Sequence, residues 1–365
     1  MNSVPFIDLA WQWSEIEQEI ERPVLELLRS GSYVSGKRVS EFESDFADKS
    51  NSKFAVGMNS GTSALHAGLS HYDFTKEDEI ITTSHTFIAS VSSILLAGAT
   101  PVLVDVNENG LMDKKSFLEA VSPKTRGVLF VHLYGSCVDE NLISEAKKLG
   151  LRIFEDASQS HLALFRSGLP VGSFGEFTAY SFYPGKNLGA VGESGILTTS
   201  DESVYEYAKR FRNWGSSVKY DHREFGLNYR MDEIQALVLR AKLKRLEQWT
   251  KEREEIASKY NQAIQSNNKV DLVNSLSGRP VYHQYVVRVS DREVAQKFFR
   301  EQEIETSIHY PIPVHKQKAL EGRFRRVESL KVTERLVDRI LSVPIFPGMK
   351  SWQILKVAEA ISNCP

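Results

Sequence analysis

Cysteine is scarce: the 365 residues contain two, Cys137 and Cys364. They lie far apart without metal-like spacing, which argues against a disulfide framework or a zinc site. No uninterrupted apolar run is long enough to span a bilayer. Met1–Asp8 lacks the charged start and apolar core of a signal peptide, so the expected location is the cytoplasm. Neither sign of charge is in marked excess. The 45 Lys and Arg against 47 Asp and Glu leave a net of −2, which gives neither nucleic acid nor a membrane an electrostatic reason to bind. Internal repeats and low-complexity segments are absent. What is present, 41% hydrophobic and 25% charged residues, describes a soluble globular chain long enough for a large domain and a smaller one.

Apolar and β-branched runs predict strands at Phe54–Asn59, Glu79–Thr83, Pro101–Val106, Arg126–Tyr134, Leu151–Glu155, Phe177–Tyr183 and Gly195–Thr199. Helical segments fall between several of them, at Ala64–Leu69, Phe87–Ala97 and Asn141–Leu149, and Val204–Phe211 follows the last. That alternation implies a largely parallel sheet covered on both faces, an α/β fold. An amphipathic lead-in (Ile16, Ile20, Val24, Leu27, Leu28) stops at Gly31. Ser35-Gly36-Lys37 lacks the first glycine of a phosphate loop and reads as a plain loop. A loop is also expected at Asn213–Tyr220. A long helix over Met231–Trp249, continuing in pieces to about Ile264, leads into a small α+β domain. That domain should hold a strand at His283–Val289, a helix at Glu293–Gln302, a strand at Glu305–His309 and a final helix at Trp352–Ile361. The boundary is placed so that residues 1–245 form the large domain and 246–365 the small one.

Two stretches carry chemistry. Phe177-Thr-Ala-Tyr-Ser-Phe-Tyr-Pro-Gly-Lys186 is a buried strand broken by Pro184-Gly185, with a lysine at once after it. Desolvation there lowers an amine's pKa and suits it to Schiff-base chemistry, although lysines after turns are common. Upstream, Leu151-Arg-Ile-Phe-Glu-Asp156 places a carboxylate at a strand end, where open α/β sheets bind ligands. A strand-end aspartate and a strand-end lysine are the pair a pyridoxal phosphate enzyme needs. Ser60-Gly61-Thr62-Ser63, opening a helix, could present N–H groups and hydroxyls to a phosphate, or be a simple N-cap.

Gly61-Thr62, Thr86-Phe87-Ile-Ala, Glu155-Asp156-Ala-Ser-Gln159, Ser181-Phe-Tyr-Pro-Gly-Lys186-Asn-Leu-Gly, Leu227-Asn228-Tyr-Arg230-Met-Asp and Ile308-His309-Tyr-Pro-Ile-Pro together resemble the DegT/DnrJ family. These are sugar aminotransferases of fold-type I, and the motifs run in the family's order from Pro5 to near the C-terminus. The resemblance implies a seven-stranded, mostly parallel sheet with pyridoxal 5'-phosphate as cofactor. It implies that Lys186 binds the cofactor covalently and shuttles a proton, and that Asp156 pairs with the ring nitrogen. Phe87 would stack on the ring and Gln159 would contact its hydroxyl. Gly61, Thr62 and Ser181 would hold the phosphate, with Asn228 reaching in from the neighbouring subunit of a homodimer. His161, Arg230, His309, Tyr310 and Lys219 are candidate substrate contacts. For Phe87 a core position, and for His309 a place in the small domain's core, are the competing readings. The retained lysine argues against the dehydratase branch, which has histidine there.

The expected reaction moves an amino group from L-glutamate to a keto sugar, nucleotide-linked and aminated at C3 rather than C4. The loop Arg212-Asn-Trp214-Gly-Ser-Ser-Val-Lys219-Tyr220 resembles that of C3-aminating members and offers cations and flat rings to a nucleotide diphosphate. A sugar acid without a nucleotide, or a non-catalytic regulatory protein keeping the fold, are the alternatives.

Overall fold

A computed structural model describes residues 3–365. Seven short strands, β1 (Phe54–Met58), β2 (Glu79–Thr83), β3 (Thr100–Val104), β4 (Thr125–Val131), β5 (Arg152–Asp156), β6 (Phe177–Ser181) and β7 (Gly195–Thr199), form the main sheet in the order β1-β7-β6-β5-β4-β2-β3. Their residues are buried almost throughout, as expected of strands covered by helices on both faces. Pairing from β3 through β6 is parallel, and β7 runs antiparallel to both β6 and β1. The C-terminal ends of β1, β2, β4, β5 and β6 therefore share one edge of the sheet. The two residues Arg325–Arg326 add an eighth strand, parallel to β3. No spacing pattern marks so short a strand.

The helices that cover the sheet begin where sequence chemistry caps them. Ser60, Asp113, Asp139, Asp201 and Asp291 each accept a backbone N–H of the first turn that follows. A three-stranded antiparallel sheet (Val270–Leu272, Tyr285–Val289, Ile340–Val343) builds the smaller unit with the helices Leu246–Gln265, Arg292–Glu301 and Ser351–Asn363. Its core includes Tyr260, Tyr285, Phe299 and Val357, and also Val4 from the far end of the chain.

Several sequence expectations need correcting. The segment Glu305–His309 is not a strand: it makes a single bridge, Ser307 to Ser342, before Pro311 and Pro313 exclude further pairing. The third strand is Ile340–Val343. The strand expected to run to Tyr134 stops at Val131, because Tyr134 takes φ 64° and turns the chain. The long helix is broken into Glu233–Leu243 and Leu246–Gln265, and Arg245 closes the first half by donating to the Ala241 carbonyl at 2.9 Å. The loop after Asn213 contains a hairpin, Ser216–Val218 with Asp221–His222.

Ser35-Gly36-Lys37 is a helix start, not a plain loop. The carboxylate of Glu233, 1% exposed, accepts from the N–H groups of Gly36 (2.7 Å), Arg38 (3.1 Å) and Val39 (3.2 Å). A Cβ at Gly36 would meet that carboxylate at 2.8 Å, so a side chain there would push the cap aside. Glu233→Ala should therefore lower stability by about 2 kcal/mol, the scale of a lost cap with buried donors left unpaired. Thermal denaturation checks this, and an unchanged melting curve would mean that solvent caps the helix equally well.

Candidate active site

At the shared strand edge β5 delivers Asp156, 6% exposed. Its Oδ2 accepts from the Ser90 hydroxyl at 2.7 Å and its Oδ1 from the Ser158 N–H at 3.1 Å. Ser90 Oγ in turn lies 3.0 Å from Thr86 Oγ1. The carboxylate is thus anchored on its protein side by the helix that follows Phe87.

Strand β6 ends at Ser181, and a tight turn carries Lys186, whose N–H donates to the Tyr183 carbonyl at 2.8 Å. Lys186 is only partly buried as a residue, yet its amine is desolvated. That desolvation pushes its pKa down to about 8, with the charge of Asp156 opposing. The amine has no hydrogen-bond or ion-pair partner among the described residues. An amine of this kind is a readier base and nucleophile than an ordinary lysine.

Three imidazoles feel its charge, and all are kept neutral. Burial, then the charge of Lys186, lowers His161 to about 3 and His309 to about 4, and holds His283 well below its ordinary value. His161 is 1% exposed and donates Nε2–H to the Ser181 carbonyl at 2.8 Å. It lies under the strand end and presents no surface to a substrate. His309 Nδ1 sits 2.9 Å from Ser342 Oγ, and its ring stacks on Phe6 at 5.8 Å. Tyr310 receives Gln159 Nε2–H at 2.9 Å, while Gln159 Oε1 accepts from the Tyr134 N–H at 2.7 Å. Phe87 is 53% exposed and not a core residue; its ring lies 5.5 Å from that of Tyr310.

The turn into the helix Gly61–Ser70 closes the other side. A Cβ on Gly61 would meet Ser181 Cβ at 2.8 Å and Ser158 Oγ at 3.1 Å. Glycine therefore lets the helix start lie directly against both serines. Free N–H groups at a helix N-terminus, with Thr62, Ser158 and Ser181 partly exposed around it, form a cradle with the donors a phosphate takes. This donor set, a desolvated amine, a buried carboxylate and an exposed ring suit pyridoxal phosphate.

Asn228, Arg230 and Arg212 lie beside the end of β1, and Lys219 lies in the hairpin that follows Asn213. Asn228 is exposed, and its carbonyl accepts from Asn59 Nδ2 at 3.3 Å. Arg230 Nη1 donates to Asn213 Oδ1 at 3.1 Å, and its Nε is buried without a partner. Arg212 is occupied by Glu43 and by the Gly57 carbonyl at 2.7 Å, so it offers no charge to a diphosphate. Lys219 is exposed, 5.1 Å over the ring of Tyr220. Sequence reasoning missed Ser90, Ser158, Tyr134 and His283. Ser158 stood inside a quoted motif; the others carry no pattern that separates them from core polar residues.

Residues 14–362 match the model of the DegT/DnrJ/EryC1/StrS aminotransferase family. The chain belongs to this family. Among its members, the dTDP-3-amino-3,6-dideoxy-alpha-D-galactopyranose transaminase of Aneurinibacillus thermoaerophilus is 39% identical, over 99% of each chain. The crystal structure of DesV from S. venezuelae in complex with a ketimine intermediate is 37% identical. It superposes with a TM-score of 0.95 over 100% of this chain and 98% of that one. NtdA from Bacillus subtilis, with bound cofactor PMP, is 27% identical, with a TM-score of 0.90 over 100% of this chain and 85% of that one. The protein is an aminotransferase, with the family's mixed α/β fold, a large and mostly parallel sheet flanked by helices. Among the described residues no helix is long and apolar enough to cross a membrane and no cluster could hold a metal ion. Both cysteines are free and buried.

Proposed function

We propose that this aminotransferase uses pyridoxal 5'-phosphate to move an amino group from L-glutamate to a nucleotide-linked keto-deoxyhexose, at C3. The observation that carries the reading is a desolvated Lys186 amine within the electrostatic reach of the anchored Asp156 carboxylate, with the Gly61–Ser181 cradle at the same sheet edge. The family, and the relative named for a 3-amino dTDP sugar, support the substrate class and the carbon.

Gly61, Thr62, Ser158 and Ser181 would hold the phosphate, Asp156 the ring nitrogen, Gln159 the ring hydroxyl and Phe87 one ring face. When bound, the cofactor supplies an aldehyde that takes up amines covalently and a ring that draws electrons from the adjoining carbon. Lys186 Nζ would take a proton from the donor's carbon and return it two bonds along, on the other side of the amino nitrogen. The same movement in reverse serves the keto sugar. The Asp156 carboxylate would pair with the ring nitrogen and favour its protonated form. Phe87 and Tyr310 present rings that shed water from one side of this space. The exposed Lys219 with Tyr220 would serve the nucleotide.

The test is amination of 3-keto and 4-keto nucleotide sugars, with free keto sugars and sugar acids as controls, read by mass spectrometry. A 3-amino nucleotide sugar is expected. Amination of free sugars alone removes the nucleotide, and a 4-amino product overturns the carbon.

The exposed Asn228 would complete the partner subunit's phosphate site in a homodimer. Mixing inactive Lys186→Ala with Asn228→Ala chains should then restore about a quarter of wild-type activity. Random pairing makes half the dimers mixed, and each of those holds one intact site. No recovery on mixing, or a fully active monomer in sedimentation, rules the shared site out.

A further inference from the structure

His283 lies outside every motif, and the mechanism above does not use it. It is 7% exposed and comes from the segment that leads into the small sheet. Its Nδ1 is 3.2 Å from Oδ1 of Asn187, the residue after Lys186. Asn187, 3% exposed, donates Nδ2–H to the Val281 carbonyl at 2.8 Å, so its oxygen is the acceptor and the imidazole must carry its proton on Nδ1. Asn187 is the buried anchor of a turn so tight that a Cβ on Gly189 would meet the Pro184 carbonyl oxygen at 2.2 Å.

The segment 281–284 is itself pinned. Val281 N–H donates to the Gly135 carbonyl at 2.9 Å and Gln284 N–H to that of Tyr134 at 3.2 Å. Gly135, at φ 95°, leaves no room for a side chain: a Cβ would meet the His283 nitrogen at 2.7 Å. Tyr134 is the residue whose N–H fixes Gln159. One short bracket therefore ties the Lys186 turn to the Gln159 side of the site.

We infer that His283 is a positioning residue that acts through Asn187 to hold the Lys186 amine in its desolvated place. This rests on the reading of Lys186 as the reactive amine. Asp156, His161, His283 and His309 are the titratable groups that exchange electrostatic influence with that amine. Beyond them lie Arg253, which donates to the Tyr282 and Ile345 carbonyls, and Tyr310, which lies toward Asp156. Burial keeps the three imidazoles neutral at neutral pH, while Arg253 keeps its charge. A slackened turn would let water reach the amine and raise its pKa toward the ordinary lysine value.

The experiment titrates Lys186 in the full, cofactor-free chain by competitive labelling with acetic anhydride, reading the Lys186 peptide by mass spectrometry. His283→Phe keeps a ring and removes the donor, so half-reaction should move up by about one pH unit. Asn187→Leu, which also loses the bond to the Val281 carbonyl, should shift it at least as far, and the double variant no further than Asn187→Leu, because the loss of His283 is already contained in it. His283→Asn, whose amide nitrogen takes the place of Nδ1, should stay within roughly 0.3 units of wild type. A His283→Phe chain that titrates like wild type, or a double variant whose shift is the sum, overturns the inference. Should His283→Phe not melt cooperatively, Asn187→Leu and His283→Asn decide alone, and a wild-type value for Asn187→Leu overturns it. A wild-type chain whose Lys186 titrates as an ordinary lysine would overturn the reactive-amine reading as well. An unshifted variant beside a depressed wild type removes only the role of His283.

Discussion

Lys186→Ala should lose turnover by roughly 10⁴-fold or more, since one residue is both the covalent attachment and the proton carrier. Borohydride reduction of the loaded wild type should fix the cofactor to the Lys186 peptide. Labelling of another lysine, or activity in the variant, would sink the assignment. A second signature is independent of catalysis. The amine's pKa is lowered on folding to about 8, so between that value and the ordinary 10.5 the unfolded chain binds the extra proton. Stability of the cofactor-free protein should then rise with pH across this window, with the full cost of the buried charge present below it. Lys186→Met removes the charge and keeps the volume. It should melt higher than wild type at pH 7, and the difference should shrink by pH 10. Equal melting points throughout would mean that the amine is solvated.

The main sheet was legible because each of β1–β7 is a short apolar run, and burial on both faces makes composition alone diagnostic. Asp156 and Lys186 were legible for a related reason: a charge directly after such a run must lie at the sheet edge. What escaped depended on contacts distant in sequence. Glu233 caps a helix 197 residues away at Gly36, so neither segment shows a cap of its own. The strand Ile340–Val343 follows directly on a helix without a turn signal, and Glu305–His309 has strand composition but spends its length reaching the site. Arg212 reads as a free cation until folding brings Glu43 beside it. His283 is one of nine histidines, and only the fold sets it against Asn187.

Asp156→Asn tests the other half of the pair and separates charge from shape. The amide can reproduce the anchoring. Its oxygen can accept from the Ser158 N–H, while its nitrogen donates to Ser90 Oγ, which can turn its own proton to Thr86 Oγ1, 3.0 Å away. The fold and the melting temperature should therefore hold. What disappears is the negative charge that would keep the ring nitrogen protonated, and turnover should fall about 10³-fold. The same charge raises the pKa of Lys186, so its removal should carry that amine below its wild-type value of about 8. Acetic anhydride labelling of the cofactor-free variant reads this shift without any turnover. Ser90→Ala leaves the charge in place and loosens only its orientation, so a loss of about tenfold is expected, with the Lys186 titration little changed. Near-normal turnover in Asp156→Asn would give the ring nitrogen another partner. A large loss of turnover with no movement of the Lys186 titration would mean that the carboxylate is too well screened from the amine to act on it, and that its effect reaches the cofactor alone.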